Sequence, residues 1–309
     1  MSNAEIRPDT TRFAPSPTGF LHLGHAAAAL SAWRAANDTR GKFLVRIEDI
    51  DATRCRSEFD TAIEEDLAWL GKGLLGWGWE KPVRRQSEHM EEYRTALTRL
   101  ESEGLVYPCV CTRAQILAEV AKAGAAPHGD GPRYPGTCRA LPAEARQERI
   151  ARGEAYALRL NLSRAVKRAG KLTFVERGRG AIEARPELFG DVVLARKEFP
   201  TSYHLAVTLD DHIQGVTLVT RGEDLFEATH LQRLLQALLG LNTPDYRHHP
   251  LLKLAGERIE RVAPGAGEGD GCALSMQRAR DLPADGAARP GHQRGLARQV
   301  EHHFVSPAL

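Results

Sequence analysis

Thr11 to Phe13 reads as the end of a first strand, after which Pro15, Pro17 and Gly19 break regular structure. His25 to Ala36 follows as an alanine-rich run, and alanine is the strongest helix former. Lys42 to Ile47 (KFLVRI) has the apolar, β-branched character of a buried strand, and Ser57 to Leu70 repeats its apolar residues at helical spacing. Strand, loop, helix, strand, helix predicts an α/β fold with a parallel sheet.

Ser87 to Glu103 predicts another helix with Ser87 as its N-cap, and the Gly/Pro-rich stretch from Tyr107 to Cys138 predicts an insertion. Strand patterns resume at Tyr156 to Leu162 and at Asp191 to Ala195. Tyr203 to Val207 and Gly215 to Thr220 read as strands flanking a polar turn at Asp210, Asp211 and His212, and Leu225 to Leu239 reads as a helix. No internal repeat is evident. From Val262 onward Gly, Ala, Arg and Pro dominate, which leaves little to bury and predicts a poorly ordered tail.

Composition changes this picture in three ways. At 309 residues, with 42% hydrophobic and 27% charged, the chain has material for a real core in one large or two modest domains. A net charge of only +2 means that a nucleic-acid partner requires the positive charge to be gathered on one face. The N-terminus lacks the apolar stretch of a signal peptide, and no segment approaches the run of about 20 apolar residues that spans a bilayer, so the expectation is a soluble cytoplasmic protein with no membrane partner.

Cysteine usage points to a metal. The count of five is odd, and Cys109, Cys111 and Cys138 share one short region while Cys55 and Cys272 stand apart. With Tyr134, the cluster offers three thiols and a phenol, and thiolates suit a tetrahedral structural zinc. Three cysteines leave the fourth position open, and His128 is a conventional nitrogen ligand for it.

The segment Arg12-Phe-Ala-Pro-Ser-Pro-Thr-Gly-Phe-Leu-His-Leu-Gly-His25 sets a Pro/Gly-rich loop and two histidines at a strand-to-helix junction. Such a junction aims free N–H groups and the positive end of a helix dipole at its ligand, which suits phosphate. His22 and His25 can add donors to a phosphoryl transition state, and Gly24 lets a nucleotide ring approach the backbone. A pocket for a charged amino acid needs cations for its carboxylates and an acidic group for its ammonium, which the arginines and acids of this chain can supply.

The run from Arg12 to His25 resembles the first signature of class I aminoacyl-tRNA synthetases, in the R-F-A-P-S-P-T-G-x-L-H-x-G-H form of the glutamyl and glutaminyl enzymes. The resemblance continues through RIEDID (Arg46 to Asp51), VRRQSEH (Val83 to His89) and DDHIQGVTLVTRGEDL (Asp210 to Leu225), and so spans Thr11 to about Leu252. It implies a Rossmann-type catalytic domain with a zinc-binding insertion. The expected division is residues 1–106 as its first half, 107–140 as the insertion, 141–257 as the remainder and second half, and 258–309 as an atypical tail.

By the same resemblance, His22, Gly24 and His25 serve ATP, accompanied by Mg2+, with both histidines catalytic. Arg12, Phe13, Ala14, Pro15 and Ser16 help hold L-glutamate, Glu48 faces its ammonium, and Tyr203 and Arg221 complete the pocket. Tyr134 becomes the fourth zinc ligand beside Cys109, Cys111 and Cys138. The length leaves no room for the helical anticodon-binding region of full glutamyl-tRNA synthetases. That favours the short branch of the family, which attaches glutamate to the queuosine of tRNA(Asp) and is expected to act as a monomer.

One motif departs from the family. The second signature, a K-L-S-K-like run, belongs shortly after His248-His-Pro-Leu-Leu252, where Lys253-Leu-Ala-Gly-Glu-Arg-Ile-Glu-Arg261 stands without an S-K pair. Family pattern and core-forming composition fail together near Arg258, which is expected of a shifted reading frame; otherwise Lys253, Arg258 or Arg261 substitutes for the missing lysines. Either way, adenylate formation is expected to be slow, because lost transition-state contacts to charge cost several kcal/mol.

Overall fold

The computed structural model describes residues 7–122, 134–196 and 199–251. His128, Cys272, the second-signature segment from Lys253 and the expected tail from 258 lie outside the described residues. The chain divides into two compact units: residues up to 85 with 219–223 and the segment from 249, and residues 86–218 with 224–248.

In the first unit, strand β1 (Thr10–Phe13) leads through the signature loop into helix α1 (Leu23–Asp38), strand β2 (Lys42–Ile47), helix α2 (Ser57–Leu70) and the short strand β3 (Arg84–Arg85). The three strands are parallel in the order β1-β2-β3, with Phe13 opposite Val45 and Ile47 opposite Arg85. Ala26, Ala29, Ala32 and Ala36 repeat at helical spacing and bring α1 close to Phe13, Phe43, Val45 and Ile47, with Ile63 and Leu67 of α2 in the same core. Buried Thr11 donates to the Ala32 carbonyl at 2.8 Å, pinning β1 to α1. Gly41 is required here, because a Cβ would lie 1.9 Å from the Asp9 carbonyl oxygen.

The second unit opens with a 3-10 turn over Gln86–His89 and helix α3 (Met90–Ser102), followed by β4 (Val106–Cys109), α4 (Arg113–Lys122), α5 (Thr137–Ala140) and α6 (Ala143–Ala151). Next come β5 (Ala157–Leu160), α7 (Leu162–Ala169), the hairpin β6 (Thr173–Glu176) and β7 (Gly180–Glu183), and β8 (Val193–Ala195). Then follow α8 (Tyr203–Ile213), β9 (Leu218–Gly222), which runs into the first unit, α9 (Ala228–Leu239) and β10 (Asp245–His249). Strands β4, β5 and β8 form an antiparallel sheet in that order, and β10 runs parallel to β6 with Tyr246 opposite Glu176.

Several expectations are corrected. Ser87 is not an N-cap: it lies within the 3-10 turn, and α3 begins at Met90 with His89 at the cap position and no side-chain cap. Tyr203–Val207 is helix rather than strand, and Asp210, Asp211 and His212 continue that helix instead of turning. The cause is a cap at one end and buried partners at the other. Ser202 accepts the Leu205 N–H, while Asp210 accepts from Tyr93 Oη at 2.9 Å and from Gln86 Nε2 at 2.8 Å. The strand expected to Leu162 ends at Leu160, where Asn161 caps α7; the strand expected over Gly215 to Thr220 begins at Leu218; and the helix expected from Leu225 begins at Ala228.

Candidate active site and metal centre

Arg12 and Phe13 end β1, and Ala14, Pro15 and Ser16 open the loop beyond it. Glu48 directly follows β2, its N–H donating to the Pro15 carbonyl at 2.9 Å, so the two strand ends are tied. Arg46 and Glu48 alternate onto one face, and the fully buried guanidinium reaches Glu48 Oε1 at 3.2 Å. Arg46 escaped the sequence reading, although its i,i+2 spacing from Glu48 was the signal for it. Arg12 is 5% exposed and donates to the Thr220 carbonyl at 3.2 Å, which places it beside the backbone of equally buried Arg221 on β9. The first unit thus gathers Arg12, Ser16, Glu48 and Arg221 on neighbouring stretches of chain. Tyr203 belongs to the second unit, as the half-buried first residue of α8 behind the Ser202 cap.

His22 and His25 start α1 as reciprocal caps. His22 Nδ1 accepts the Gly24 N–H at 3.1 Å, and His25 Nδ1 accepts the His22 N–H at 3.2 Å. A ring nitrogen that accepts carries no proton, so each neutral imidazole holds its proton on Nε2 and keeps an Nε2–H donor for a ligand. The rings stack 3.8 Å apart. Burial, followed by the charge of His22, pulls His25 down to about 4, and burial lowers His22 as well. Gly24 has a local reason beyond nucleotide access, since a Cβ there would sit 2.9 Å from the His22 ring.

Cys109 at the end of β4, Cys111 beyond it and Cys138 on α5 bring three sulfurs within 4.8 Å of one another. About 3.8 Å separates sulfurs in a tetrahedral zinc–thiolate shell with bonds near 2.3 Å, so the donors fit a zinc ion. Tyr134 Oη lies 3.5 Å from Cys111 Sγ, accepts the Cys138 N–H at 2.7 Å and has the Arg159 guanidinium 4.0 Å over its ring. Arg159 was also missed in the sequence; it faces the cluster only through the β4–β5 pairing. Burial pushes the Cys111 thiol up to about 12; burial opposes Cys138 too, but hydrogen bonds from Tyr134, Cys111 and the Val110 N–H bring it below its ordinary value. Cys55 stands apart in the first unit, where burial and then Asp49, Asp51 and Asp60 push it up to about 11. No helix among the described residues is long and apolar enough to cross a membrane.

Comparison with known proteins agrees with this geometry. Residues 10–258 match the family model of class I tRNA synthetases (E and Q), catalytic domain. The chain is 48% identical over 265 residues to a Glutamyl-Q tRNA(Asp) synthetase of Rhodobacter capsulatus, covering 81% of this chain and 90% of that one. A Glutamate–tRNA ligase 2 of Syntrophus aciditrophicus is 36% identical over 78% of this chain and 49% of its own length. The crystal structure of a glutamate tRNA ligase from Elizabethkingia meningosepticum in complex with its amino acid superposes with a TM-score of 0.66 at 26% identity, over 80% of this chain. The chain spans about half the length of that ligase, matching 50% of it. With its signature loop, its paired histidines and the family match over residues 10–258, the chain belongs to the class I tRNA synthetases of the glutamyl and glutaminyl branch and carries their catalytic domain.

Proposed function

We propose that this chain activates L-glutamate with ATP and transfers it to the queuosine of tRNA(Asp). The observation that carries the reading is the His22–His25 pair, whose Nδ1 atoms are both committed to the helix start while both Nε2–H groups stay available to phosphate oxygens. Arg12, Phe13, Ala14, Pro15 and Ser16 help seat the amino acid, Glu48 receives its ammonium, and Tyr203 and Arg221 complete the pocket. A glutamate α-carboxylate oxygen forms a bond to the α-phosphorus of ATP as the bond to pyrophosphate breaks, giving glutamyl-adenylate and pyrophosphate, with Mg2+ accompanying the nucleotide. A hydroxyl of the queuosine cyclopentenediol then attacks the acyl carbon, and AMP leaves with the electron pair.

The choice of acceptor is supported by the name of the Rhodobacter relative, to which the chain is 48% identical. Residues 107–140 serve as a metal-bearing insertion in which Cys109, Cys111, Tyr134 and Cys138 hold one structural zinc; with four protein donors the ion stiffens the insertion and leaves no open position for catalysis. The protein works as a cytoplasmic monomer.

The test is transfer of labelled glutamate to tRNA(Asp) with queuosine, to the same tRNA with guanine in its place, and to tRNA(Glu). The reading expects ester only with the first. Ester at the 3′ end of tRNA(Glu) would establish an ordinary glutamyl-tRNA ligase, the activity named for the Syntrophus relative.

A further inference from the structure

A net charge of +2 over 309 residues gives RNA no general attraction, so local concentrations of unneutralised cations matter. Helix α7 is such a place. Leu162 and Ala165 face the core, while Arg164, Lys167 and Arg168 are exposed at i, i+3 and i+4, and Lys171 follows just past the Gly170 cap. No acidic residue occurs between Asn161 and Phe174. Among the described residues Lys167 and Lys171 meet no carboxylate, and Arg168 reaches Glu103 only at 3.8 Å.

Helix electrostatics explains part of this set. Lys167 and Arg168 complement the negative C-terminal end of α7, but Arg164 is its third residue, where the dipole opposes a cation. Arg164 instead extends over Gly104, its guanidinium 3.3 Å from where a Cβ would lie. Beside them, Lys167, Lys171 and Arg185 line a cleft of ≈ 380 Å³ whose wall also carries Glu183 and Glu187. Three cations around a groove suit a phosphodiester chain threaded along it, with the two carboxylates limiting how generally anions bind.

We propose that the exposed cationic face of α7, continued by Lys171, docks the phosphate backbone of the acceptor RNA; the inference rests on the RNA-acceptor reading above. The face sets the position of the RNA and reads no base, because phosphate contacts carry no sequence information.

The experiment measures the binding of labelled tRNA(Asp), with and without queuosine, to the full chain across a salt series. The triple variant K167A/R168A/K171A places strong helix formers on a solvent face and should keep its fold. The slope of log Kd against log salt should fall by about two to three relative to wild type, equally for both tRNAs. Glutamate affinity should not change. A control triple, K42A/K72A/K81A, removes as many exposed cations, two of them held 2.9 Å from Glu80 and Glu64, and should leave the slope nearly intact. An unchanged slope in the α7 variant, or an equal drop in the control, overturns the docking face while leaving the activity in place. Wild-type chain that binds neither tRNA would remove the RNA reading and this face together.

Discussion

The imidazoles of His22 and His25 stack 3.8 Å apart, each holding a backbone N–H at the start of α1 through Nδ1. The proposed catalytic pair and the helix cap are thus one device, and whatever protonates the rings also frays the helix.

That coupling fixes a pH dependence. His25 is pulled from 6.5 to about 4, so between these values the unfolded chain binds protons that the folded helix start excludes. The contribution of this end to stability is complete above about pH 6.5 and is lost as pH falls toward 4. Thermal melts between pH 7 and 5 should show a steeper acid loss of Tm for wild type than for His25→Ala. Parallel curves would contradict the assignment.

Metal analysis of protein purified under reducing, chelator-free conditions should give about one zinc per chain. Cys138→Ser should abolish the zinc and lower Tm, because Cys138 is buried among the other donors. Cys55→Ser should keep the metal, since Cys55 lies in the other unit beside Asp49, Asp51 and Asp60. Metal-free wild type, or equal loss in both variants, would remove the zinc assignment.

Arg221→Ala should weaken glutamate binding by roughly 2 kcal/mol, the scale of a charge-assisted contact, and ATP binding far less. Separate calorimetric titrations of the two ligands measure this. Equal weakening would assign Arg221 to the fold or to the nucleotide.

Tyr93→Phe removes a hydroxyl donor from buried Asp210 at 2.9 Å and should cost about 1–3 kcal/mol in urea denaturation. A change of only about a few tenths of a kcal/mol would show that Asp210 does not depend on Tyr93.

What the sequence revealed follows the range of the forces involved. Lys42–Ile47 and Ser57–Leu70 are legible to the residue because their own hydrophobic patterns decide them. Tyr203–Val207 reads as strand because YHLAV has β character; what makes it helix is the Ser202 cap and the contacts Asp210 makes with Tyr93 and Gln86, more than a hundred positions away. The hairpin at Gly180 went unread although the Arg-Gly-Arg-Gly turn signals it. In the site, the first-signature histidines and the cysteine cluster are visible as local motifs. Arg159 over Tyr134 is not, since only the pairing of β4 with β5 sets them together.

Glutamate-dependent exchange of labelled pyrophosphate into ATP, measured on the 309-residue chain, tests the central claim most directly. The account predicts slow exchange, because no S-K pair follows Lys253; it should respond to glutamate and not to glutamine and vanish in His25→Ala. Exchange that treats glutamine like glutamate, or none with glutamate in chain that binds both ligands, would contradict it.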